Sequence, residues 1–278
     1  MTVPPSLLFV FGMGYSARRL AARLVPAGWR VEGTSRAKDA DLGPGVRALQ
    51  WGGEGEVRPP SGAHWLVTLP PDPDGCPAAR AMGKRAGEAA SVTYLSTTGV
   101  YGDLGGGWAM EWSPVNPGSA RARARVLAER QWQDATDGAA RIVRLPGIYG
   151  PGRSPFERLR TGTATRVVKP GQVFSRVHVE DIARGLEALL LKPALTGVFH
   201  LCDDEPAPPQ HVTAFAAGLL GMAPPPEMDI AVAGLSPMAR SFYAECKRVS
   251  NARAKAALGW RPLYPSYREG LTAILAGS

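Results

Sequence analysis

The most informative segment of the sequence is Leu7-Leu8-Phe9-Val10-Phe11-Gly12-Met13-Gly14-Tyr15-Ser16-Ala17. Its five leading apolar residues predict a buried strand, and the spacing Gly-x-Gly-x-x-Ala follows that strand directly. In a strand–loop–helix unit of this kind, the first glycine makes the turn and the second lets the backbone approach a pyrophosphate. The third position needs only a small side chain. We therefore predict that the loop from Gly12 to Ala17 binds the pyrophosphate of a dinucleotide; the alternative is a purely structural turn.

Helical and extended patterns alternate after this loop. A first helix has an apolar stripe at i, i+3, i+4 and i+7, formed by Ala17, Leu20, Ala21 and Leu24. The strand-like runs of the first half are Leu7–Phe11, Trp29–Thr34, His64–Leu69, Val92–Ser96 and Arg141–Leu145. This order predicts an α/β fold with a doubly wound parallel sheet of the Rossmann type and a smaller C-terminal substrate lobe.

The division into domains follows from the same pattern. We expect residues 1–155 to form the dinucleotide-binding domain, residues 175–202 to return to it, and residues 156–278 to belong mostly to the C-terminal lobe. The second half predicts a strand at Val198–Cys202 and helices at Asp181–Leu191 and His211–Leu220. Asp181 is expected to cap the first of these helices.

Two helices are predicted to close the chain. Ser250 is placed to cap a helix that ends at Leu258, before Gly259. Ser266 and Glu269 have the spacing of a capping box.

Composition favours a folded protein that acts on small molecules. The chain has 278 residues, of which 45% are hydrophobic and 20% charged. The net charge of +8 comes without a nucleic-acid recognition motif, and the run Leu7–Phe11 is too short for a membrane span. Three scattered cysteines indicate neither a disulfide framework nor a zinc site. We expect a cytoplasmic protein that binds neither nucleic acid nor membranes and is a monomer or homodimer.

The end of the second predicted strand bears on the choice of cofactor. NAD-binding versions of the loop place an acidic residue there for the ribose 2′-hydroxyl, whereas this strand ends Gly33-Thr34-Ser35-Arg36. A guanidinium pairs with a 2′-phosphate through charge-assisted hydrogen bonds. Ser35 and Arg36 therefore favour NADP(H) over NAD(H), and the alternative is that Arg36 is a solvated surface residue.

Four further segments resemble the extended short-chain dehydrogenases/reductases, the group that contains nucleotide-sugar epimerases and dehydratases. Tyr94–Gly102 resembles the signature of their fifth strand, and Glu111–Pro117 the loop before their catalytic helix. Arg144–Gly152 resembles their sixth-strand motif, and Arg176–Asp181 their later Arg-x-His-Val-x-Asp motif. The resemblance covers nearly the whole chain and implies a Rossmann fold with a nicotinamide cofactor, but it identifies no substrate.

The resemblance also implies a catalytic serine or threonine together with a Tyr-x-x-x-Lys pair. Thr97 matches the hydroxyl residue, whereas the pair falls on Arg121 and Arg125. A guanidinium cannot exchange a proton usefully near neutral pH, so Arg121 cannot replace the tyrosine as acid/base. Arg125 could hold the nicotinamide ribose or an anionic substrate group, or could lie on a solvated helix face. The pattern is similar to atypical, epimerase/dehydratase-like members that lack the usual pair.

The candidate site residues form two groups. The predicted catalytic candidates are Thr97, Tyr101 and His178, each of which could instead be structural. The residues assigned to cofactor binding are Gly12, Gly14, Tyr15, Ser16, Ala17, Ser35, Arg36, Leu69, Thr97 and Arg125. The glycine-rich loop Asp103–Trp112 is expected to be either a lid over the substrate or a flexible surface loop.

Two functions compete on this evidence. The first is an NADP(H)-binding oxidoreductase or epimerase/dehydratase-like enzyme with an atypical site, acting on a small polar substrate such as a sugar derivative. The alternative is a catalytically inactive NAD(P)-binding regulatory or scaffold protein, which the arginines at both catalytic positions favour.

Overall fold

The computed structural model describes residues 6–277 and contains a seven-stranded sheet with the strand order β11-β7-β5-β4-β1-β2-β3. All six strand pairs within this sheet are parallel. The strands in chain order are β1 (Leu7–Phe11), β2 (Arg30–Ser35), β3 (Val46–Gln50), β4 (His64–Val67), β5 (Ser91–Thr97), β6 (Trp108–Ala109), β7 (Arg141–Leu145), β8 (Gly147–Tyr149), β9 (Arg166–Val168), β10 (Arg176–His178), β11 (Gly197–His200), β12 (Glu227–Asp229) and β13 (Arg248–Val249).

Helices cover both faces of the sheet, as the predicted doubly wound fold requires. They are α1 (Tyr15–Leu24), α2 (Pro77–Met82), α3 (Ala120–Ala135), α4 (Pro155–Arg160), α5 (Val179–Leu190), α6 (Pro209–Leu219), α7 (Pro237–Tyr243), α8 (Ala252–Leu258) and α9 (Tyr267–Ala276). Two 3₁₀ turns, Gly83–Glu88 and Thr98–Tyr101, complete the described elements. The predicted fold class is confirmed.

Each face of the sheet has its own core. On one face α1, α5 and α8 pack through residues such as Leu20, Leu186 and Leu258. On the other face α2 and α3 pack around Trp65 and Trp132, which are fully buried. All four residues of the apolar stripe predicted for α1 are buried. The sheet is therefore shielded from solvent on both sides, and its strand ends are left to form a site.

The sequence patterns located six of the seven strands of the large sheet to within two residues, and β3 is the strand they missed. The edge strand β3 has no apolar run, because its only neighbour is β2 and most of its side chains are exposed or half-buried. A pattern of hydrophobicity therefore could not reveal it. The predicted strand pattern was otherwise sufficient to give the sheet.

The helix caps were predicted with mixed success. Ser266 and Glu269 form the predicted capping box of α9. Helix α8 begins after Asn251 and ends at the left-handed Gly259, while the Ser250 hydroxyl accepts from the Ala252 amide. The prediction that Asp181 caps α5 was wrong.

Helix α5 begins two residues earlier than the pattern suggested. Its first turn is capped by His178, whose Nδ1 accepts from the Glu180 amide at 3.2 Å. The Asp181 carboxylate instead accepts from the Leu263 and Tyr264 amides. It therefore ties α5 to a distant loop.

A third core lies in the C-terminal part of the chain. Helices α4, α6 and α9 pack around Phe156, Tyr267 and Leu271. Two short parallel pairs, β8 with β10 and β9 with β12, adjoin this core. The division at residue 155 remains a prediction.

The glycine-rich loop is held in place, contrary to the expectation of a lid or a flexible loop. Strand β6 within it pairs with β13, and the Leu104 and Gly106 amides donate to the Cys246 carbonyl. The Asp103 carboxylate accepts from the Cys246 amide at 2.7 Å. These partners lie more than 130 residues away in sequence, so the local glycine content gave no sign of them.

Over residues 6–277, the structure contains no helix that is both long and apolar enough to cross a membrane.

Candidate cofactor and active site

The phosphate loop begins with a glycine that no other residue can replace without strain. Gly12 has φ +87°, and a Cβ on it would lie 2.7 Å from Leu69 Cδ2. The Thr34 hydroxyl accepts from the Gly12 amide at 2.8 Å, and the Thr68 hydroxyl donates to the Gly12 carbonyl. The loop is therefore fastened between the ends of β2 and β4, at the point where the strand order reverses.

The first turn of α1 lies open beside this loop. Gly14 is its N-cap, and no side chain of the described residues caps it. A Cβ on Gly14 would have only the Thr68 hydroxyl within 4 Å, at 3.9 Å, among the described residues. Ser16 and Ala17 are buried beneath the turn. Amide groups without a capping side chain, next to open space and at the positive end of a helix dipole, suit a pyrophosphate.

Tyr15 links the phosphate loop to the loop that follows β8. Its hydroxyl donates to the Pro151 carbonyl at 2.8 Å, and the Arg153 guanidinium lies over its ring, 4.4 Å from the centroid. Burial raises the pKa of Tyr15, although Arg153 and Arg19 oppose this effect. The two loops are joined at one wall of the predicted cofactor site.

The end of β2 carries the residues predicted to recognise the adenosine part of the cofactor. Arg36 is exposed and has no hydrogen-bond or ion-pair partner within residues 6–277. Ser35 accepts from the Ala37 amide at 3.2 Å. The carboxylate of Glu32, earlier on the same strand, is buried and paired with Arg30 and Arg47. It is therefore committed to the sheet.

Two predicted residues stand at the neighbouring strand ends. Leu69 follows β4 and packs against Gly12. Thr97 ends β5, is half-buried, and uses its Oγ1 to accept from the Gly99 amide at 3.2 Å. Because the hydroxyl is the acceptor in this bond, its proton is available to another group. The structure thus gathers the loop, Ser35, Leu69 and Thr97 at one edge of the sheet.

The arginines at the positions of the family's catalytic pair differ from each other in environment. Arg125 is half-buried, and its Nη1 donates to the Leu95 carbonyl at 2.8 Å and to the Tyr94 hydroxyl at 3.0 Å. Arg121, one turn earlier on the same face, is exposed. Arg125 is therefore fixed against β5, and Arg121 projects from the start of α3.

Tyr101 lies behind this edge in a buried polar network. Its hydroxyl is 2.6 Å from His200 Nε2 and accepts from Arg144 Nη1 at 2.7 Å. Arg144 in turn pairs with Glu129 of α3, at 2.6 Å between Nη2 and Oε2. Burial raises the pKa of Tyr101 to about 12. The Tyr101 hydroxyl already has two protein partners, and the ring is fully buried. The catalytic role of Tyr101 therefore stays a prediction.

His178 lies among aromatic rings at the start of α5. Its ring centroid is 4.4 Å from that of Tyr264 and 5.2 Å from that of Tyr149. Burial lowers its pKa to about 4, so the ring is neutral at physiological pH. Its Nε2 is buried and has no hydrogen-bond partner within the described residues. His178 caps α5, and its catalytic role likewise remains a prediction.

Sequence reasoning missed the residues that anchor α3. Glu129, Arg144 and His200 are almost fully buried, and the His200 Nδ1 is 2.9 Å from the Ser250 carbonyl. Glu111 lies nearby, with its Oε1 3.8 Å from His200 Nδ1. The sequence signal for such a buried polar residue is a charged residue in the middle of an apolar strand or on a buried helix face. Its partner, more distant in sequence, could not be inferred from the pattern.

Comparison with known proteins places the chain in a family. No protein-family model matches it. Its structure superposes with a TM-score of 0.92 on a functionally unknown conserved protein from Silicibacter pomeroyi DSS. The two are 48% identical, over 98% of this chain and 99% of that protein. The chain belongs to the same family as this protein.

More distant solved structures establish the fold of that family. The dTDP-glucose 4,6-dehydratase of Bacillus anthracis, in complex with NAD, is 14% identical over 98% of this chain and 96% of its own, with a TM-score of 0.77. The human epimerase family protein SDR39U1, solved with NADPH, is 17% identical over 98% of this chain and 100% of its own, with a TM-score of 0.76. These two structures show that the chain shares the fold of the epimerase/dehydratase-like short-chain dehydrogenases/reductases.

Curated relatives match part of the chain. A 3-diazoavenalumate denitrifying reductase from a Streptomyces species is 32% identical over 208 residues, which are 70% of this chain and 66% of the reductase. Protein YeeZ of Escherichia coli K12 is 33% identical over 138 residues, 48% of this chain and 47% of that protein. The matched part thus spans less than two thirds of the reductase and about half of YeeZ.

Proposed function

We propose that the chain is an NADP(H)-dependent reductase in which the loop from Gly12 to Ala17 holds the cofactor pyrophosphate. The observation that carries this proposal is the open first turn of α1, whose N-cap is a glycine and whose amides are capped by no side chain of residues 6–277. Ser35 and Arg36 would contact the 2′-phosphate, and Leu69 and Thr97 would face the nicotinamide end. Solved relatives of the same fold were crystallised with NAD or NADPH.

The side chains near the site favour a reaction without a protein proton donor. The bound nicotinamide would supply a hydride. Tyr101 and Tyr149 are buried with their hydroxyls bonded to protein atoms, and Arg121 cannot release a proton at neutral pH. Thr97 alone among the candidate residues keeps a hydroxyl proton available at the predicted nicotinamide edge. This hydroxyl can orient a substrate oxygen, but it is too weak an acid to protonate one unaided.

Substrates that expel a leaving group on reduction need no such donor. An arenediazonium ion is one: the hydride bonds to carbon, and the carbon–nitrogen bond breaks with its electron pair leaving on dinitrogen. The relative named as a 3-diazoavenalumate denitrifying reductase supports this class of substrate. Sugar-derived carbonyl compounds are the other class, supported by the dehydratases and epimerases that share the fold; after hydride transfer their alkoxide oxygen would take its proton from water.

Two measurements test the proposal. NADPH and NADH are first titrated against thermal stability, because a ligand that binds only the native state raises stability by mass action. We expect stabilisation by NADPH at lower concentration than by NADH, and no shift with either would refute the cofactor assignment. NADPH oxidation is then followed at the nicotinamide band with a carbonyl and sugar-nucleotide panel and with an arenediazonium carboxylate, each against an enzyme-free control. Turnover in either arm supports a reductase and names its substrate class.

A second function is favoured by one specific observation. Both positions of the usual catalytic pair hold arginine, and Arg125 is engaged with the Leu95 carbonyl and the Tyr94 hydroxyl. A protein that binds NADP(H) as a regulatory signal, without turnover, would tolerate this arrangement. Tight NADPH binding with no oxidation in any arm of the panel would favour this second function and contradict the reductase.

A further inference from the structure

A cavity of about 410 Å³ lies between the connection that follows β4 and the first two turns of α3. One wall is formed by residues 71–73, and the other by the stretch of α3 that includes Arg121 and Arg123. Apart from the two arginines and Asp72, proline and alanine side chains make up the wall. The size is within the range of small-molecule sites.

The topology places this cavity beside the predicted cofactor site. Strands β5 and β7 are parallel neighbours, so α3, which connects them, must run back along the sheet. Its start therefore lies at the same edge as the end of β5 and the phosphate loop. The connection after β4 reaches the cavity directly from Leu69, the residue that packs on Gly12.

The cavity carries an uncompensated positive charge. The guanidinium groups of Arg121 and Arg123 have no hydrogen-bond or ion-pair partner in the part of the chain that the structure describes. The single carboxylate in the wall, Asp72, is already engaged by Arg80 through two bonds of 2.9 and 2.6 Å. The arginine side chains of α3 are therefore free to bind an anion from outside.

Arg121 and Arg123 lie near the N-terminus of α3, where their positive charges lower the stability of the helix. Cations near a helix N-terminus oppose the helix dipole. The first turn of α3 holds no acidic residue that would offset them. Such a placement is unfavourable for folding, and a bound anion would reverse the effect.

We propose that Arg121 and Arg123 bind a carboxylate of the substrate, with the substrate's apolar body against the proline and alanine walls. This proposal rests on the proposed reductase function and adds the substrate's chemical class, a small apolar carboxylic acid. A guanidinium fork matches the two oxygens of a carboxylate, which gives orientation as well as affinity. Arg121 thus positions the substrate at the place where the family uses a tyrosine for proton transfer.

The test measures binding of cinnamate and of its uncharged methyl ester by tryptophan fluorescence, with and without saturating NADPH. We expect the acid to bind about tenfold more tightly than the ester, a difference of ~1.4 kcal/mol. Arg121→Gln and Arg123→Gln should each remove most of this preference and leave ester binding unchanged. Arg130→Gln, an exposed arginine later on α3, is the matched control and should behave like the wild type.

Several outcomes would overturn the proposal. Equal affinity for acid and ester, no saturable binding of the acid, or an equal loss in the Arg130 variant would each do so. Tighter binding of inorganic phosphate than of cinnamate would assign the arginines to a phosphate instead and also reject the carboxylate. NADPH binding is measured separately for every variant, so failure of the cofactor assignment is distinguishable from failure of the carboxylate site.

Discussion

Two helices, α1 and α3, begin at the same edge of the sheet. They differ in the groups that their N-terminal ends could offer to an anion. The N-cap of α1 is Gly14, which leaves the first-turn amides without a capping side chain. The N-cap of α3 is Ser119, whose hydroxyl accepts from the Ala122 amide at 3.1 Å. Backbone groups therefore make the site at α1, whereas at α3 the available groups are guanidinium side chains.

The phosphate loop at α1 and helix α3 are also held in place by different kinds of interaction. The phosphate loop is held by neutral hydrogen bonds: the Thr34 hydroxyl accepts from the Gly12 amide, and the Thr68 hydroxyl donates to the Gly12 carbonyl. Helix α3 is held by a buried ion pair between Glu129 and Arg144, which continues to Tyr101 and His200. Under the proposed function, cofactor binding at α1 and substrate binding at α3 would therefore depend on separate sets of interactions.

The largest effect is expected from breaking the anchor of α3. Glu129→Ala leaves Arg144 buried without its counter-charge, and such a loss costs about 3–5 kcal/mol of unfolding free energy. Urea denaturation followed by circular dichroism measures it. Glu56→Ala, which removes an exposed partner of Arg58, is the control and should change stability by less than ~0.5 kcal/mol. A loss of equal size in both variants would show that the Glu129 pair is no stronger than a surface one.

The next effect concerns the loop at α1. Gly12→Ala places a Cβ 2.7 Å from Leu69 Cδ2 at φ +87°, so the loop must move. We expect NADPH affinity to fall about 100-fold, ~2.7 kcal/mol, and the strain to cost about 1–3 kcal/mol of stability.

The control for this prediction is Gly28→Ala. Gly28 has nearly the same φ, +86°, and none of the described atoms would lie within 4 Å of a Cβ at this position. The backbone strain is therefore matched while the loop is untouched. If both variants bound NADPH equally well, Gly12 would not shape the cofactor site.

Features that depend on neighbouring residues were predicted from the sequence, whereas features that depend on distant partners were not. A Gly-x-Gly-x-x-Ala loop is a local pattern, and the apolar runs around it are local too, so Gly12, Gly14 and the strands β1 and β7 were predicted from neighbouring residues alone. The caps divide in the same way. The Ser266–Glu269 box spans three residues and was predicted, whereas the partners of Asp181 are more than 80 residues away.

Long-range pairs account for what was missed at the site. The chain separation between Tyr101 and His200 is 99 residues. Tyr101 was singled out from the family motif alone, and His200 was an unremarked residue of the predicted strand Val198–Cys202. The glycine-rich loop after Gly102 looked mobile because its partners Cys246 and Arg248 lie far along the chain. The carboxylate-binding role of Arg121 needed the cavity, since an exposed basic helix face has the same local pattern.

The pH dependence of stability should distinguish the two anchors. Burial lowers the pKa of His200 to about 4, against ~6.5 for the unfolded chain. As the pH falls below 6.5 the unfolded state takes up this proton first, so the native state loses stability, and the loss is complete only below the folded pKa. Between pH 7.5 and 5 we expect the wild type to lose ~2 kcal/mol that His200→Gln does not lose.

This comparison isolates one group because the others are common to both proteins. Burial raises the pKa of Asp181 to about 6 and of Asp203 to about 8, and these carboxyls act in the opposite direction over part of the range. Their contributions cancel in the difference between wild type and variant. Parallel pH curves for the two proteins would contradict a neutral, buried His200. The threonine hydroxyls that hold the phosphate loop have no titration in this range.

The smallest effect tests the adenosine end of the site at α1. Arg36 is exposed and unengaged within residues 6–277, so Arg36→Gln should leave the fold unchanged and act on the ligand alone. If the Arg36 guanidinium pairs with the 2′-phosphate, NADPH affinity falls about tenfold, ~1.4 kcal/mol, while NADH affinity is unaffected because NADH lacks that phosphate.

Arg58→Gln, at a distant exposed site, controls for the loss of one positive charge. Calorimetric titration of both cofactors gives the ratio directly. An equal loss for NADPH and NADH would mean that Arg36 does not recognise the 2′-phosphate, and the preference for NADP(H) would then have to come from another residue.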